Sequence, residues 1–338
     1  MSRLKALLVG AGGMGRNWAK VLRNCDQVEC AGWMDIRAGA AGEAIEQLQL
    51  AGVRAFDDLG KAIAETRPDF VVDVTIPEAH QGVTLAALTA GIPVLGEKPM
   101  ADSMAAAREM VAASERAGKL YMVSQSRRYD GRVLAFGEAI RKYAGNIGIL
   151  ASDFFLGPHF GGFREKMPSP LLLDMAIHTF DNARQISGRD PVAVYCREFN
   201  PAWSWFGGDA GATAMFEMTG GLQYIYNGSW CAQGLNTSWQ GQWRAYGASG
   251  AASWDGDHDP VAERVTGSDG YIHPTEKMTV NADTNIPGGI AGALREFVGA
   301  LRSGQTPQGE CHDNIKSLAM VFGAIESAAT GQRVKISE

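Results

Sequence analysis

Gly10-Ala11-Gly12-Gly13-Met14-Gly15 spells a GxGxxG string. The string follows an apolar run, Leu4–Val9, and opens a stretch of helical spacing, Met14–Arg23. Alone it is weak; between a strand and a helix it is informative. Gly10 permits the tight turn, Gly12 lets the backbone approach a pyrophosphate, and Gly15 lets the helix pack closely on the strand. Gly13 and Met14 complete the loop, and the anion rests on the free N–H groups and positive end of the helix. Asp35 stands at the end of the second strand, twenty residues beyond Gly15. An acid there accepts hydrogen bonds from the adenosine ribose. It also repels a 2′-phosphate, by about 4 kcal/mol for unit charges 4 Å apart at an effective dielectric of 20. Arg37 offers partial compensation to such a phosphate. The acid favours NAD over NADP.

Lys98, Asp174 and His178 are the residues suited to work on an alcohol. Oxidising a secondary alcohol sends a hydride to nicotinamide and a proton to a base, and a base near neutral pKa contributes about 10²–10⁴-fold. Asp174 and His178 are four apart on a predicted helix and share a face, about 6 Å apart at Cβ. Together they can orient a substrate and relay a proton. Lys98 follows the short strand Val94–Leu95, at the carboxyl edge where doubly wound sheets bind ligands. An ammonium there stabilises developing alkoxide charge. Around this set, Thr75 and Pro77 fall on the cofactor side. His80 either shapes the nicotinamide wall with Pro77 or is a polar residue of a helix's first turn. Glu97 either contacts the nicotinamide ribose or pairs with a cation. Pro99 fixes the turn that aims Lys98, with cis and trans both open.

The elements that must position these residues alternate in period. Leu4–Val9, Val28–Met34, Phe70–Val74, Val94–Leu95 and Leu120–Val123 read as strands. Met14–Arg23, Ala38–Leu50, His80–Thr89 and Ser103–Ala117 read as helices, the last with Ser103 as N-cap. This is an α/β Rossmann pattern with a parallel sheet covered on both faces. After about Ser124 the pattern changes. Val133–Tyr143 and Leu171–Ile186 read as helices, and Ala212–Met218, Leu222–Tyr226 and Gln242–Tyr246 as strands. Thr219-Gly220-Gly221 is a hairpin signal. Ile290–Leu301 and Ile315–Ala329 close the chain as helices. The division expected is residues 1–123 for the nucleotide domain and 124–338 for an α+β domain with a large, mostly antiparallel open sheet, used for substrate binding and self-association.

Composition narrows the rest. The chain has 338 residues, 46% of them hydrophobic, and a net charge of -6, which argues against nucleic acid. Five cysteines with no CxxC pair argue for reduced thiols and a cytoplasmic protein. No apolar run is long enough to span a membrane, and no His/Cys cluster suggests a catalytic metal. Asp255, Asp257 and Asp259 alternate around His258 but lack the glycine and terminal glutamate of a calcium loop. They read as a polar loop. Six of the eight tryptophans lie between Trp203 and Trp254, where they either fill a core or face sugar rings.

Four segments in order carry a resemblance: the glycine loop, Val74-Thr75-Ile76-Pro77-Glu78-Ala79-His80, Gly96-Glu97-Lys98-Pro99, and Asp174-Met175-Ala176-Ile177-His178. With Gln125-Ser126-Arg127-Arg128-Tyr129 and Trp243-Arg244-Ala245-Tyr246-Gly247, they make the chain resemble the glucose-fructose oxidoreductase / inositol dehydrogenase (Gfo/Idh/MocA) family along nearly its whole length. The resemblance implies hydride transfer to or from a sugar or polyol. Lys98, Asp174 and His178 occupy its usual catalytic positions, with histidine as base. Ala176 departs from the glycine often found there. Arg127 would reach the active site, although either crossover arginine could form a structural salt bridge instead. His159 and Arg164, just before the Asp174 helix, are further candidates for hydroxyl or carboxylate recognition. A homodimer or homotetramer through the uncovered sheet face is expected. Two rivals remain at this level: a glycosidase or lyase that recycles bound NAD, and a non-catalytic nucleotide sensor.

Overall fold

A computed structural model describes residues 2–338. The chain forms two compact units: residues up to 126 with 289–315, and residues 127–288 with 316–338. The units are therefore not two continuous stretches divided at 123/124. The reason lies in the helix Gly289–Ser303, which buries Leu294, Phe297 and Val298. The Phe297 ring stands 5.3 Å from that of Phe70 in the first unit. The following segment bonds to the edge strand of the same unit, where Val123 N donates to Gly309 O at 2.8 Å.

The first unit begins β1 (Leu4–Val9), α1 (Gly13–Asn24), β2 (Val28–Met34), α2 (Ala40–Gln47), β3 (Arg54–Phe56), α3 (Leu59–Thr66) and β4 (Phe70–Asp73). It continues α4 (Pro77–Thr89), β5 (Val94–Glu97), α5 (Met104–Ala117) and β6 (Tyr121–Ser124). The strands make one parallel sheet in the order β3-β2-β1-β4-β5-β6. Ala6, Leu7, Leu8, Val71, Val72 and Leu95 are fully buried, as strands with helices on both faces must be. Ser103 does cap α5, its hydroxyl accepting from Ala106 N at 3.2 Å. Strand order reverses between β1 and β4, and such a reversal opens a ligand crevice at the carboxyl ends of the strands.

The second unit contains α6 (Gly131–Ala139), β7 (Ile147–Phe155), α7 (Ile177–Ser187), β8 (Pro191–Phe199), β9 (Gly211–Met218), β10 (Gln223–Ser229), β11 (Gln242–Gly247), β12 (Gly250–Trp254), β13 (Val261–Val265) and β14 (Thr275–Met278). The helix Gly289–Ser303 is α8, α9 is Cys311–Thr330, and β15 is Val334–Lys335. The nine-stranded sheet runs β14-β13-β12-β11-β7-β10-β9-β8-β15, antiparallel except for the β7–β10 pair. The β9–β10 hairpin turns at Gly220 and Gly221, both at positive φ. One sheet face buries Leu150, Phe154, Phe216, Tyr224, Tyr226 and Trp243 in the core. On the alternate residues of the same strands, Ile149, Tyr195, Met215 and Tyr246 are each about half exposed.

Two of the predicted helices depart from regular α geometry. The segment after α6, Ile140–Ala144, and the segment before α7, Leu171–Ala176, are π-helical turns. Such wide turns are rare and cluster at functional sites.

Two buried ionic contacts hold helices in place. Arg128 donates to both Asp181 oxygens, at 2.7 and 2.6 Å, with 5% and 1% of the two side chains exposed. Ser317 of α9 donates to the same carboxylate at 2.7 Å. In the first unit, His80 Nδ1 lies 3.0 Å from Asp73 Oδ2, with both side chains buried. Burial disfavours the charged imidazole, but Asp73, with Glu97 and Glu78 adding to it, raises the pKa above the ordinary 6.5.

Asp181→Ala removes one half of a buried pair and is expected to cost about 3–5 kcal/mol in urea unfolding. A loss under about 1 kcal/mol would mean that the pair acts like an exposed one. For His80 the folded state favours the proton, so its contribution is complete below 6.5 and fades as pH climbs past the raised folded value. The urea midpoint of the wild type should fall across that window, and His80→Gln should flatten this part of the curve. An unchanged slope in the variant would remove the assignment.

Candidate active site

At the β1–α1 turn, Gly10 has φ +102°, and a Cβ there would stand 2.6 Å from Val74 O. A Cβ on Gly15 would stand 2.1 Å from Gly10 O. Both positions therefore exclude any side chain. Gly12 and Gly13, in contrast, face open space. Gly12 is the N-cap of α1 and brings no side-chain acceptor to the first-turn amides. Met14, in that turn, is exposed. These features fit the pyrophosphate of a dinucleotide: a bare cradle, amide donors and the positive end of a helix.

Asp35 follows β2 and accepts four hydrogen bonds. Ala11 N donates at 2.7 Å, Arg37 N at 2.9 Å, and the Arg37 guanidinium at 3.0 and 3.1 Å. Burial works against the charge, but Arg37 and the amides outweigh it and hold the carboxyl below its ordinary range. A carboxylate has about four lone-pair sites, so this one is full. The exposed Arg37 side chain must swing away for Asp35 to accept from a ribose. Arg37, expected to offer partial compensation to a phosphate, folds back onto Asp35.

Asp73 ends β4 and organises the next stretch. Its Oδ1 accepts from the Thr75 hydroxyl at 2.6 Å and the Thr75 amide at 3.1 Å, and its Oδ2 faces His80. Pro77 is the first residue of α4. His80 sits in the first turn of that helix, as one of its two sequence readings has it, but buried. Asp73 was missed in the sequence, although its place at a strand's carboxyl end was a signal.

Glu97 ends β5, almost fully buried. It accepts from the Trp18 indole N–H at 2.7 Å and from the Lys98 amide at 3.1 Å. Burial raises its pKa despite these donors. The Lys98–Pro99 bond is cis. Lys98 is partly buried at the carboxyl edge of the sheet that carries the glycine turn. Trp18, on the helix that the turn opens, is a second residue missed in the sequence.

In the second unit, Asp174 lies in the π-helical turn and His178 in the first turn of α7. Arg164 Nε donates to Asp174 Oδ2 at 2.6 Å. The same guanidinium stands over the Phe160 and Phe163 rings, 5.2 and 4.9 Å from their centroids. Two sequence candidates, Arg164 and Asp174, are thus brought together. Arg127 Nη2 lies 3.5 Å from the sulfur of Met175, beside Asp174. Arg127 Nη1 is buried without a hydrogen-bond partner, and burial lowers the guanidinium to about 10. Arg128, by contrast, is in the structural pair with Asp181. His159 stacks on Trp205, centroids 3.8 Å apart. In the acidic loop, Asp255 is filled by its own neighbours, the His258 ring at 2.7 Å and the Asp257 and His258 amides at 2.9 Å.

Among the described residues no helix is long and apolar enough to cross a membrane. Residues 4–125 match the family described as "Oxidoreductase family, NAD-binding Rossmann fold", and residues 154–253 match the GFO/IDH/MocA C-terminal domain. The protein y4oX of Sinorhizobium fredii, itself uncharacterized, is 30% identical over 99% of this chain and 96% of its own. The D-apiose dehydrogenase of Paraburkholderia graminis is 27% identical over 99% of this chain and 90% of its own. A crystal structure of an oxidoreductase from Agrobacterium radiobacter, in complex with NAD+, L-tartaric acid and magnesium, has a TM-score of 0.86 at 21% identity, covering 99% of this chain and 98% of that one. The chain is an NAD-binding oxidoreductase and belongs to the Gfo/Idh/MocA family.

Proposed function

We propose that the protein transfers a hydride between NAD and a secondary alcohol of a sugar, sugar acid or cyclitol. One observation carries the reading: Lys98 stands at the carboxyl edge of the same sheet whose β1–α1 turn is bare of side chains and open to a pyrophosphate. A relative named for the dehydrogenation of a sugar supports the substrate class.

In this reading Gly10, Gly12, Gly13, Met14 and Gly15 hold the pyrophosphate, Asp35 the adenosine ribose, and Thr75 and Pro77 the nicotinamide side, with the buried His80 and Glu97 positioning Thr75 and Lys98 from behind. Bound NAD supplies the hydride acceptor. In the oxidising direction, the His178 imidazole takes the proton from the reacting hydroxyl. The Lys98 ammonium donates to the same oxygen as negative charge builds, and in a site shielded from water that interaction is strong. Asp174 orients His178 and the substrate, with Arg164 keeping its carboxylate in place. Arg164 has five N–H donors, and those not spent on Asp174 serve substrate oxygens, as does the buried Arg127 head. His159, stacked on Trp205, is a further candidate for hydroxyl recognition. Self-association through the half-exposed face of Ile149, Tyr195, Met215 and Tyr246 belongs to the proposal; a single-chain mass by light scattering counts against it. A cytoplasmic setting, which the five free cysteines support, is also part of the proposal.

The deciding experiment follows nicotinamide absorbance with NAD and NADP against a panel of sugars, sugar acids and cyclitols. Net reduced cofactor, equal to the ketone formed, is the expected result. Product without net reduction would point to a recycled cofactor, and cofactor binding without any product to a sensor. With a substrate found, Lys98→Met and His178→Asn should each lower kcat by about 10²–10⁴-fold, with the NAD Kd nearly unchanged. Wild-type rates in both variants would defeat the assignment. Asp35→Ala should raise KM for NAD and shift preference toward NADP; an unaltered preference would remove Asp35 from the ribose.

A further inference from the structure

One cluster outside the proposed site gathers three kinds of metal donor. Glu310, Cys311 and His312 are consecutive where α9 begins, in the first unit. Cys311 Sγ lies 2.9 Å from Glu310 Oε1 and 3.6 Å from His312 Nδ1, and the last two atoms are 2.8 Å apart. The other ring nitrogen, His312 Nε2, lies 2.9 Å from Glu115 Oε1 on α5. Cys311 is fully buried. Glu310 and His312 also line an open cleft of about 610 Å³, together with Lys119 and Thr306.

We propose that Glu310 Oε1, Cys311 Sγ and His312 Nδ1 form a binding site for a borderline-soft divalent cation, zinc foremost, with the fourth position open to the cleft. A tetrahedral ion with Zn–S about 2.3 Å and Zn–N about 2.0–2.1 Å separates sulfur from nitrogen by about 3.6 Å. That is the Sγ–Nδ1 distance found. The carboxylate oxygen sits closer to both than an ion requires, about 3.6 Å from sulfur and about 3.4 Å from nitrogen, so it must retreat by about 0.6–0.7 Å. The short distances are those of hydrogen bonds, whose thiol and imidazole protons the ion would displace. Glu115 supplies the outer partner that a metal-bound histidine needs, fixing the tautomer that leaves Nδ1 as donor. The site lies at a helix N-terminus, which disfavours a lone cation, but thiolate and carboxylate together bring two negative charges. Thiolate with imidazole selects zinc over magnesium or calcium.

The test uses the full chain, stripped with chelator and titrated with cobalt(II), then zinc. Expected are one equivalent bound per chain, a thiolate-to-cobalt charge-transfer band lost on adding zinc, proton release, and no displacement by excess magnesium. Cys311→Ser should abolish the band. His312→Ala, at a half-exposed ring, should do the same without disturbing the core. Glu115→Gln should keep the band and weaken binding about 10–100-fold. Absence of both band and stoichiometric uptake in the wild type would overturn the proposal, as would uptake unaffected by Cys311→Ser and His312→Ala.

Discussion

The carbonyl oxygen of Gly10 is the point on which the first unit is built. A Cβ on Gly15 would stand 2.1 Å from it, and the Trp33 indole N–H donates to it at 2.9 Å. Helix α1 can therefore lie where it does only if residue 15 has no side chain. That approach brings the start of α1 to the carboxyl end of β1, at the reversal in strand order. Its amides and dipole then face the crevice where an anion belongs. Trp33, fully buried on β2, locks the turn from the other side. Asp35, two residues on, inherits its position from the same strand.

The residues around this turn are secured by carboxylates that do not reach outward. Asp73 bonds to Thr75 and faces His80. Glu97 is taken by Trp18 and the Lys98 amide. Each acid ends a strand of the parallel sheet, and each spends its charge on the loop that follows. Rigid positioning of neighbouring side chains is what such an arrangement provides. In the second unit Asp174 is held differently, from a π-helical turn and by Arg164, ten residues before it.

Much of the first unit was legible because buried parallel strands are short apolar runs and their helices are periodic. The short β3, with two of its three residues exposed, carries no such run, and α3 after it is brief. The legibility of the second unit was uneven. Gly220 and Gly221 announced the β9–β10 hairpin through their need for positive φ. Strand β7, at the middle of the nine-stranded sheet, was missed because Ala151, Ser152 and Asp153 interrupt its apolar pattern. Its parallel pairing with β10 was hidden as well, since only distance in sequence separates such partners. The glycine loop and the Lys98, Asp174 and His178 motifs could be read because each has a fixed spacing. Trp18 and Asp73 have none, and their partners are seen only once the fold sets α1 beside Glu97 and the end of β4 beside His80. Core filling claimed Trp230, Trp243 and Trp254, which are buried, whereas Trp203 and Trp239 remain exposed.

The Trp18–Glu97 hydrogen bond joins residues 79 positions apart. It ties the helix that opens at the glycine loop to the strand end that bears Lys98. Dinucleotide cradle and ammonium are thereby one mechanical part, and neither can be retuned by drift at its own motif alone. A lineage that exchanges the indole for a side chain without a donor must also relieve the stranded carboxylate, so replacements at the two positions should arise as a pair.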